Sequence, residues 1–461
     1  MNQTAAQFFA SLRGKRTAFL GVGVSNNDCI RLFRRLGADV TVCDRKTRAQ
    51  LGTLADEFEQ LGCTLRLGDG YLDGLDADVV VRAPGVYFLS PDVTALRERG
   101  LTVTSEMELF FDLCPCPIYA VTGSDGKTTT TSVLAALLTA AGRRVQLGGN
   151  IGRALLPLVE QMQPADAAVV ELSSFQLLSM RRSPEVAVVT NVSPNHLNVH
   201  QSYAEYIDAK RNIYQHQNAF SRTVLNADNE LTAAMCGEVR GRLLPFSSKR
   251  PLERGVFLQH GDIWAADGGA PRKIMSASDI LLLGAHNVEN YMAAIAATLG
   301  EVPFDTIREV ARTFTGVEHR MEFVRSVDGV RWYNDSIATS PTRTIAGLRS
   351  FDRKVILIAG GSDKNIPYEP LAPAVLAHVK RLILMGKTAP KIEAAVTACA
   401  GYDPAALPID RVSILDDAVA AARAAAHEGD IVFFSPVSAS FDLYPNFEAR
   451  GEHFKRLVAA L

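Results

Sequence analysis

The stretch "PIYAVTGSDGKTTTTSVLAALLTAAG", residues 117–142, limits the fold more than any other part of the chain. An apolar run ends at Gly123 and Gly126. It passes at once into a segment with Val133, Leu134, Leu137 and Leu138 on one helical stripe. Strand, glycine turn and helix in that order begin a strand–helix–strand unit, which builds parallel sheets covered by helices. The turn also carries chemistry. Two glycines let the backbone N–H groups curl inward around an anion, and the helix beginning near Lys127 adds its positive end. Lys127 offers a cation to the outer phosphates of a nucleotide, and Thr128 a hydroxyl to its Mg²⁺. The common form of such a loop is G-x-x-x-x-G-K-[ST], but here Val121 stands where the first glycine belongs.

Strands and helical patterns alternate in two further blocks. The first has apolar runs at Arg16–Gly23, Ala38–Asp44, Ala77–Val81 and Leu101–Thr104 and closes near Glu106, before "CPCP". Gly21-Val22-Gly23-Val24-Ser25-Asn26, with Asp44 ending the second strand, resembles a dinucleotide fingerprint with its ribose-binding acid. Asn26 replaces the third glycine, which predicts looser packing of helix on strand. The pattern suits any pyrophosphate-bearing ligand, a nucleotide sugar included. In the middle block, strands at Ala167–Ser173 and Val186–Val192 bring Glu171 and His196 to the ligand-binding edge of the sheet. A carboxylate there can hold Mg²⁺. The turn-rich region 222–273 reads as short strands, and a helix is expected over Asn287–Leu299. After a break near residues 314–316, strands are expected at Val355–Gly361, Arg381–Gly386, Val412–Leu415 and Ile431–Ser435. Polar clusters follow at 334–344, 360–365 and 435–451.

The 461 residues exceed one core and suggest about three domains. A net charge of -2 argues against nucleic acid or an anionic membrane as the main partner. Seven cysteines without a CxxC pair read as small buried hydrophobes in a reducing compartment. The N-terminus lacks the apolar core of a signal peptide, and no apolar run approaches the ~20 residues of a membrane span. The chain reads as cytoplasmic and monomeric.

Together these pieces resemble the Mur ligases of peptidoglycan synthesis, in particular their D-glutamate-adding branch. "TGSDGKTTT" is similar to that family's ATP loop, and the likeness extends over the whole chain. "GGNIG" (148–152), "ELSSFQL" (171–177), Gly284 with His286, Asn287 and Asn290, "HRME" (319–322) and "SASFDLYPNFEARG" (438–451) fall in order. The run "DNPR" of the diaminopimelate- or lysine-adding relatives is absent. The resemblance implies an α/β protein of three domains. These are a Rossmann-like UDP-substrate domain (1–106), a P-loop-type ATPase domain (107–316) and a Rossmann-like amino-acid domain (317–461). It implies an ATP-dependent ligase that joins D-glutamate to UDP-N-acetylmuramoyl-L-alanine through an acyl phosphate, for cell-wall biogenesis.

Site roles follow from the same resemblance. Gly123, Ser124, Asp125, Gly126, Lys127, Thr128, Thr129, Asn287, Asn290, Arg320 and Asp335 would serve ATP. Thr128, Glu171, His196 and Lys210 would hold two Mg²⁺ ions, Lys210 as a carbamate formed with CO₂; Lys127, His196 and Lys210 would be catalytic. Val24, Ser25, Asn26, Asp44, Arg45, Gly85 and Asn150 would bind the UDP substrate. Thr339, Lys364, Ser440, Phe441 and Phe447 would bind D-glutamate, with Lys364 as the cation a dicarboxylate needs. On the residues alone, Lys210 reads as a solvated helix lysine.

This chain departs from the family where many members read D-H-[LM]-D and N-D-S-K-A-T. It has Asn195 and Asn198 beside His196, and Ile337 in place of a lysine whose contacts Arg343 would have to meet. Three other readings compete. A folylpolyglutamate-synthase-type ligase is opposed by the first block and "ELSSFQL". An NAD oxidoreductase built on Gly21–Asp44 has no hydride-transfer set. A silent nucleotide-binding scaffold sits badly with Lys127, Glu171, His196 and Lys210 all being present.

Overall fold

The computed structural model describes residues 4–194, 199–363 and 366–461. Its chain contacts divide into two compact units. One runs to Ile280 and takes in His286–Arg312; the other is Leu281–Ala285 with Thr313–Leu461.

The first unit opens with a parallel sheet of β1 (Arg16–Leu20), β2 (Asp39–Asp44), β3 (Thr64–Leu67), β4 (Val79–Arg82) and β5 (Thr102–Ser105), in the order β3-β2-β1-β4-β5. The order reverses between β1 and β4, the position at which open α/β sheets form a ligand crevice. A second parallel sheet follows, of β6 (Ile118–Thr122), β7 (Val145–Gly149), β8 (Ala167–Glu171), β9 (Val186–Val189), β10 (Arg222–Leu225) and β11 (Arg242–Leu243). Its order is β11-β10-β9-β6-β8-β7. β6, β8 and β9 are buried along their whole length, as expected of strands covered on both faces by helices. A small sheet of β12 (Phe246–Ser247), β13 (Arg254–Gln259), β14 (Asp262–Asp267) and β15 (Arg272–Ser276) completes the unit. One apolar core runs from Phe9, Phe19 and Phe33 through Phe110 and Ile118 to Ile213 and Met235, so the first two sheets share a core.

The second unit holds a six-stranded sheet with cores of its own. Its strands are β16 (Glu322–Val327), β17 (Val330–Asn334), β18 (Val355–Gly360), β19 (Val379–Met385), β20 (Ile409–Arg411) and β21 (Ile431–Phe434), in the order β16-β17-β21-β18-β19-β20. Only β16 runs antiparallel to its neighbour. The strand expected at Val412–Leu415 is not there. The pairing residues are Ile409–Arg411, and Leu415 opens a helix with Asp416 and Asp417 in its first turn, where acids favour a helix N-terminus. β3, β7, β16 and β17 were not expected from the sequence.

Candidate active site

The phosphate loop leaves the carboxyl end of β6, between the ends of β8 and β9. Gly123 has φ +153°, and a Cβ there would lie 1.9 Å from Thr190 Oγ1; Gly126 has φ +78°, and a Cβ there would lie 2.3 Å from Asn290 Oδ1. Both positions therefore need glycine. Thr190 and Asn191, which extend β9, clamp the loop from one side. Thr190 Oγ1 donates to Asp125 O at 2.6 Å, and Asn191 Oδ1 accepts from Asp125 N at 2.9 Å. Neither residue was predicted, although a polar pair ending an apolar strand was the available signal. Ser124 Oγ lies 2.9 Å from Tyr206 Oη and donates to Ser193 O, so its side chain fastens the loop. The helix Lys127–Ala140 starts after Gly126 with no side-chain cap, which leaves its first N–H groups suited to an anion. Thr128 is half-buried and Thr129 buried in its first turn. Thr130 Oγ1 donates to Asn290 Oδ1 at 3.2 Å and Asn290 Nδ2 to Asn287 Oδ1 at 3.0 Å, so both predicted asparagines, buried in the helix Ala285–Thr298, pack under the loop.

Two lysines converge on one carbonyl. Lys127 Nζ donates to Gly123 O at 3.0 Å and to Ser124 O at 3.0 Å; Lys210 Nζ donates to Gly123 O at 2.7 Å. Lys210 is 2% exposed. Loss of solvent, and then the charge of Lys127, bring its pKa down from 10.5 to about 7. Alongside, Glu171 is 2% exposed. Asn150 Nδ2 donates to its Oε1 at 2.8 Å, while its buried Oε2 has no hydrogen-bond partner among the described residues. A buried carboxylate oxygen without a donor, beside an uncapped helix end, fits a hard divalent cation with oxygen ligands. Asn150, expected among the contacts to the UDP substrate, also holds Glu171 in place through this bond. His196, Asn195 and Asn198 lie outside the described residues.

At the crevice of the first sheet, Asp44 accepts from Val22 N at 2.6 Å and from Lys46 N at 2.8 Å. The looseness expected at Asn26 is absent. It is fully buried, and its Nδ2 donates to Leu20 O and Gly21 O, tying strand to helix in place of a glycine's close approach. Val24 and Ser25 open the helix Val24–Arg35. Gly85 faces open space. Arg45 is exposed and paired with Asp92 at 2.7 Å.

In the second unit the polar clusters gather at the carboxyl ends of β17, β21 and β18. Asp335 is buried, accepting from Ser435 Oγ at 2.9 Å and Met321 N at 3.2 Å, and burial raises its carboxyl to about 7. Ser440 is buried, Thr339 and Phe447 are half-buried, and Phe441 is 73% exposed. Ser336 Oγ donates to Phe447 O at 2.8 Å, and Arg343 donates to Ile337 O at 3.3 Å. Lys364 lies outside the described residues. Sequence reasoning missed Arg450. Fully buried, it donates to Ser336 Oγ and O and to the carbonyls of Ser438 and Ala439, binding the two loops together. It also missed Val437, buried at φ +64° in the same loop, a conformation that β-branched residues avoid and that marks stored strain. Glu318, His319 and Glu452 cluster nearby, and Lys455 Nζ fills them as the cation, 2.5 Å from Glu318 and 3.0 Å from Glu452.

Residues 121–298 match the profile of the Mur ligase middle domain, and residues 319–437 that of the Mur ligase glutamate ligase domain. The chain belongs to the Mur ligase family. It is 49% identical over 467 residues to the UDP-N-acetylmuramoylalanine--D-glutamate ligase of Acetivibrio thermocellus and 46% identical over 462 residues to the ligase of the same name from Clostridium beijerinckii; each match covers 100% of both chains. Among solved structures, UDP-N-acetylmuramate-alanine ligase MurC from Thermotoga maritima matches with a TM-score of 0.59 at 18% identity, over 97% of this chain and 100% of that one. MurF ligase from the same organism, in complex with ADP, matches at 0.54 and 16% over 98% and 97%. These two share the fold.

Proposed function

We propose that this chain is an ATP-dependent ligase that adds D-glutamate to UDP-N-acetylmuramoyl-L-alanine, a step of peptidoglycan synthesis. The reading rests on full-length relatives of that name at 42–49% identity and on one local observation. The ammonium groups of Lys127 and Lys210 share the Gly123 carbonyl, beside a Glu171 oxygen that lacks a donor among the described residues.

A carboxylate is a poor electrophile. Its oxygen attacks the γ-phosphorus of ATP, ADP leaves, and the acyl phosphate then carries a good leaving group. The amine of D-glutamate attacks the acyl carbon, a proton is lost from nitrogen, and phosphate departs as the amide forms. Negative charge gathers around the transferring phosphoryl group. Lys127 and the N–H groups of Gly126–Thr129 answer it with fixed positive charge. Glu171, Thr128 and His196 would hold Mg²⁺, whose part is to neutralise phosphate oxygens and orient them. Lys210, whose lowered pKa of about 7 leaves roughly half of its amine neutral at that pH, is suited to form a carbamate. Its nitrogen bonds to the carbon of CO₂ and releases a proton, turning one of two crowded cations into an anion able to hold a second ion.

The chain would work as three modules, 1–106, 107–316 and 317–461. The first, Rossmann-like, binds UDP through Val24–Asn26, Asp44, Arg45 and Gly85; the second is P-loop-type. The third, Rossmann-like, binds D-glutamate through Thr339, Lys364, Ser440, Phe441 and Phe447, and supplies Arg320 and Asp335 to ATP. ADP release with UDP-N-acetylmuramoyl-L-alanine and a panel of amino acids tests this reading. D-Glutamate alone should support turnover; release that needs a pteroate substrate instead would refute it.

A further inference from the structure

The loop after β4 carries Gly85 and Tyr87, and the side chains of Tyr87 and of Arg82, the last residue of β4, both reach out of the first sheet. Arg82, fully buried, donates to Phe175 O at 3.2 Å and to Ser179 Oγ at 2.6 Å. The Tyr87 hydroxyl lies 2.6 and 2.7 Å from the two oxygens of Glu205. Burial and that carboxylate raise the phenol's pKa, so it stays a donor. Glu205 stands in the first turn of the helix Tyr203–Gln215, five residues before Lys210. Its Oε1 lies 2.6 Å from His200 Nδ1, and His200 Nε2 lies 2.9 Å from Ser174 Oγ. Ser174 begins the helix Ser174–Leu177, three residues after Glu171. His200 stacks on Phe175, with centroids 4.9 Å apart and planes at 7°. Donors and acceptors close if the imidazole is neutral, with Nδ1–H given to Glu205 and the Ser174 hydroxyl given to Nε2.

Serine, histidine and glutamate in this order are the groups of a nucleophilic triad. Ser174 and His200 are each only 3% exposed, so the set has almost no surface on which to meet a substrate. It does join three elements: the Gly85 loop, the helix that holds Lys210 and the end of the strand that holds Glu171.

We propose that Tyr87, Glu205, His200 and Ser174 are positioning residues forming one chain. Through it, seating of the UDP-bearing substrate on the Gly85 loop sets the placement of Lys210 and Glu171 around the phosphate loop. The inference rests on the ligase reading above. None of the four touches the phosphate loop's backbone in the way Lys210 does; they act through the elements that carry Lys210 and Glu171. Hydrogen bonds to a half-buried carboxylate hold geometry more firmly than neutral ones, and small misplacement at a phosphoryl-transfer site is costly.

Steady-state kinetics of the full-length Tyr87→Phe, His200→Gln and double variants test it. Each single change should lower kcat about tenfold and leave the KM for ATP and D-glutamate unchanged. The double variant should be no slower than the slower single one, because both cut the same chain. The thermal midpoint of Tyr87→Phe should stay at the wild-type value. A wild-type kcat, a loss confined to the KM for the UDP substrate, losses that multiply, or a kcat loss that tracks a lowered midpoint would each overturn the proposal. Failure of the ligase reading has a different sign: the wild-type protein itself would not join the two substrates.

Discussion

Lys210 is where sequence and environment pull furthest apart. Lysine in the middle of an amphipathic helix ordinarily reaches water, and nothing in "YIDAKRNIY" says otherwise. In the fold its ammonium is buried against the phosphate loop and shares Gly123 O with Lys127. Two cations on one carbonyl repel, and the carbamate proposed for Lys210 would relieve the repulsion by changing the sign of one of them. Lys210→Ala should therefore lower kcat by at least ~100-fold, as expected when a group that stabilises the transferring phosphoryl is lost, while UDP-substrate affinity stays near wild type. With ¹³C-bicarbonate, wild-type protein should give a carbamate resonance that Lys210→Ala lacks. Full activity of the variant, or an unchanged resonance, would remove the carbamate from the mechanism. Arg450 supports a second expectation. Its guanidinium makes hydrogen bonds to Ser336, Ser438 and Ala439 from a fully buried position. Arg450→Lys keeps the charge but loses the fork. It should raise the KM for D-glutamate about tenfold, given that hydrogen bonds to charged groups lie at the strong end, with little change in the KM for ATP. Equal changes in both would separate Arg450 from the loops proposed to bind the amino acid.

The helix Glu106–Leu113 links the first two sheets, and its first residue is a buried acid. Glu106 Oε1 accepts from Leu155 N at 2.8 Å and Leu156 N at 2.9 Å, and burial raises its carboxyl from 4.5 to about 7. Between those values the folded chain keeps a proton that the unfolded chain gives up. The stability this group contributes is fully present below about 4.5, falls as pH rises, and is gone above about 7. Glu106→Gln keeps the acceptor oxygen and cannot ionise. Its melting midpoint should match the wild type at about pH 4, below the unfolded carboxyl's 4.5, and exceed it by a few degrees at pH 8; a gap that does not change with pH would mean the carboxyl is not the cause. The same scale shows what was legible. Strands read correctly from sequence are buried runs such as "IYAVT", "AAVVE" and "VILIAG", whose neighbours on both sides demand apolar residues. Three of the four missed ones have weaker patterns: β3 and β7 are edge strands, "TLRL" and "VQLGG", and β16 is an edge strand with exposed positions, whereas β17, internal and mostly buried, is not explained this way. An edge strand has one neighbour and fewer buried positions, so its sequence is freer. The phosphate loop and Glu171 were legible because their chemistry is local, while the asparagine pair came from the family resemblance alone. Arg450, Val437 and the Tyr87–Ser174 chain were not, since each depends on partners far away in sequence.

At the scale of the whole molecule, the two units have separate apolar cores, while the first two sheets share one. Leu283, inside the short segment 281–285, packs with the core of the second unit, and the chain then returns to the first unit at His286. Shared cores unfold together, and separate ones need not. Calorimetry of the full chain should resolve two transitions, and a fragment of residues 1–312 should fold and show one of them. UDP-N-acetylmuramoyl-L-alanine, whose predicted contacts all lie within 1–312, should raise that transition in both samples, because a ligand stabilises only the unit that binds it. The fragment should bind the UDP substrate and yet form no amide with D-glutamate, since Thr339, Ser440 and Phe447 are absent from it. A single transition in the full chain, shifted as a whole by the UDP substrate, would mean that the two units unfold as one and that the substrate's stabilisation is spread across both.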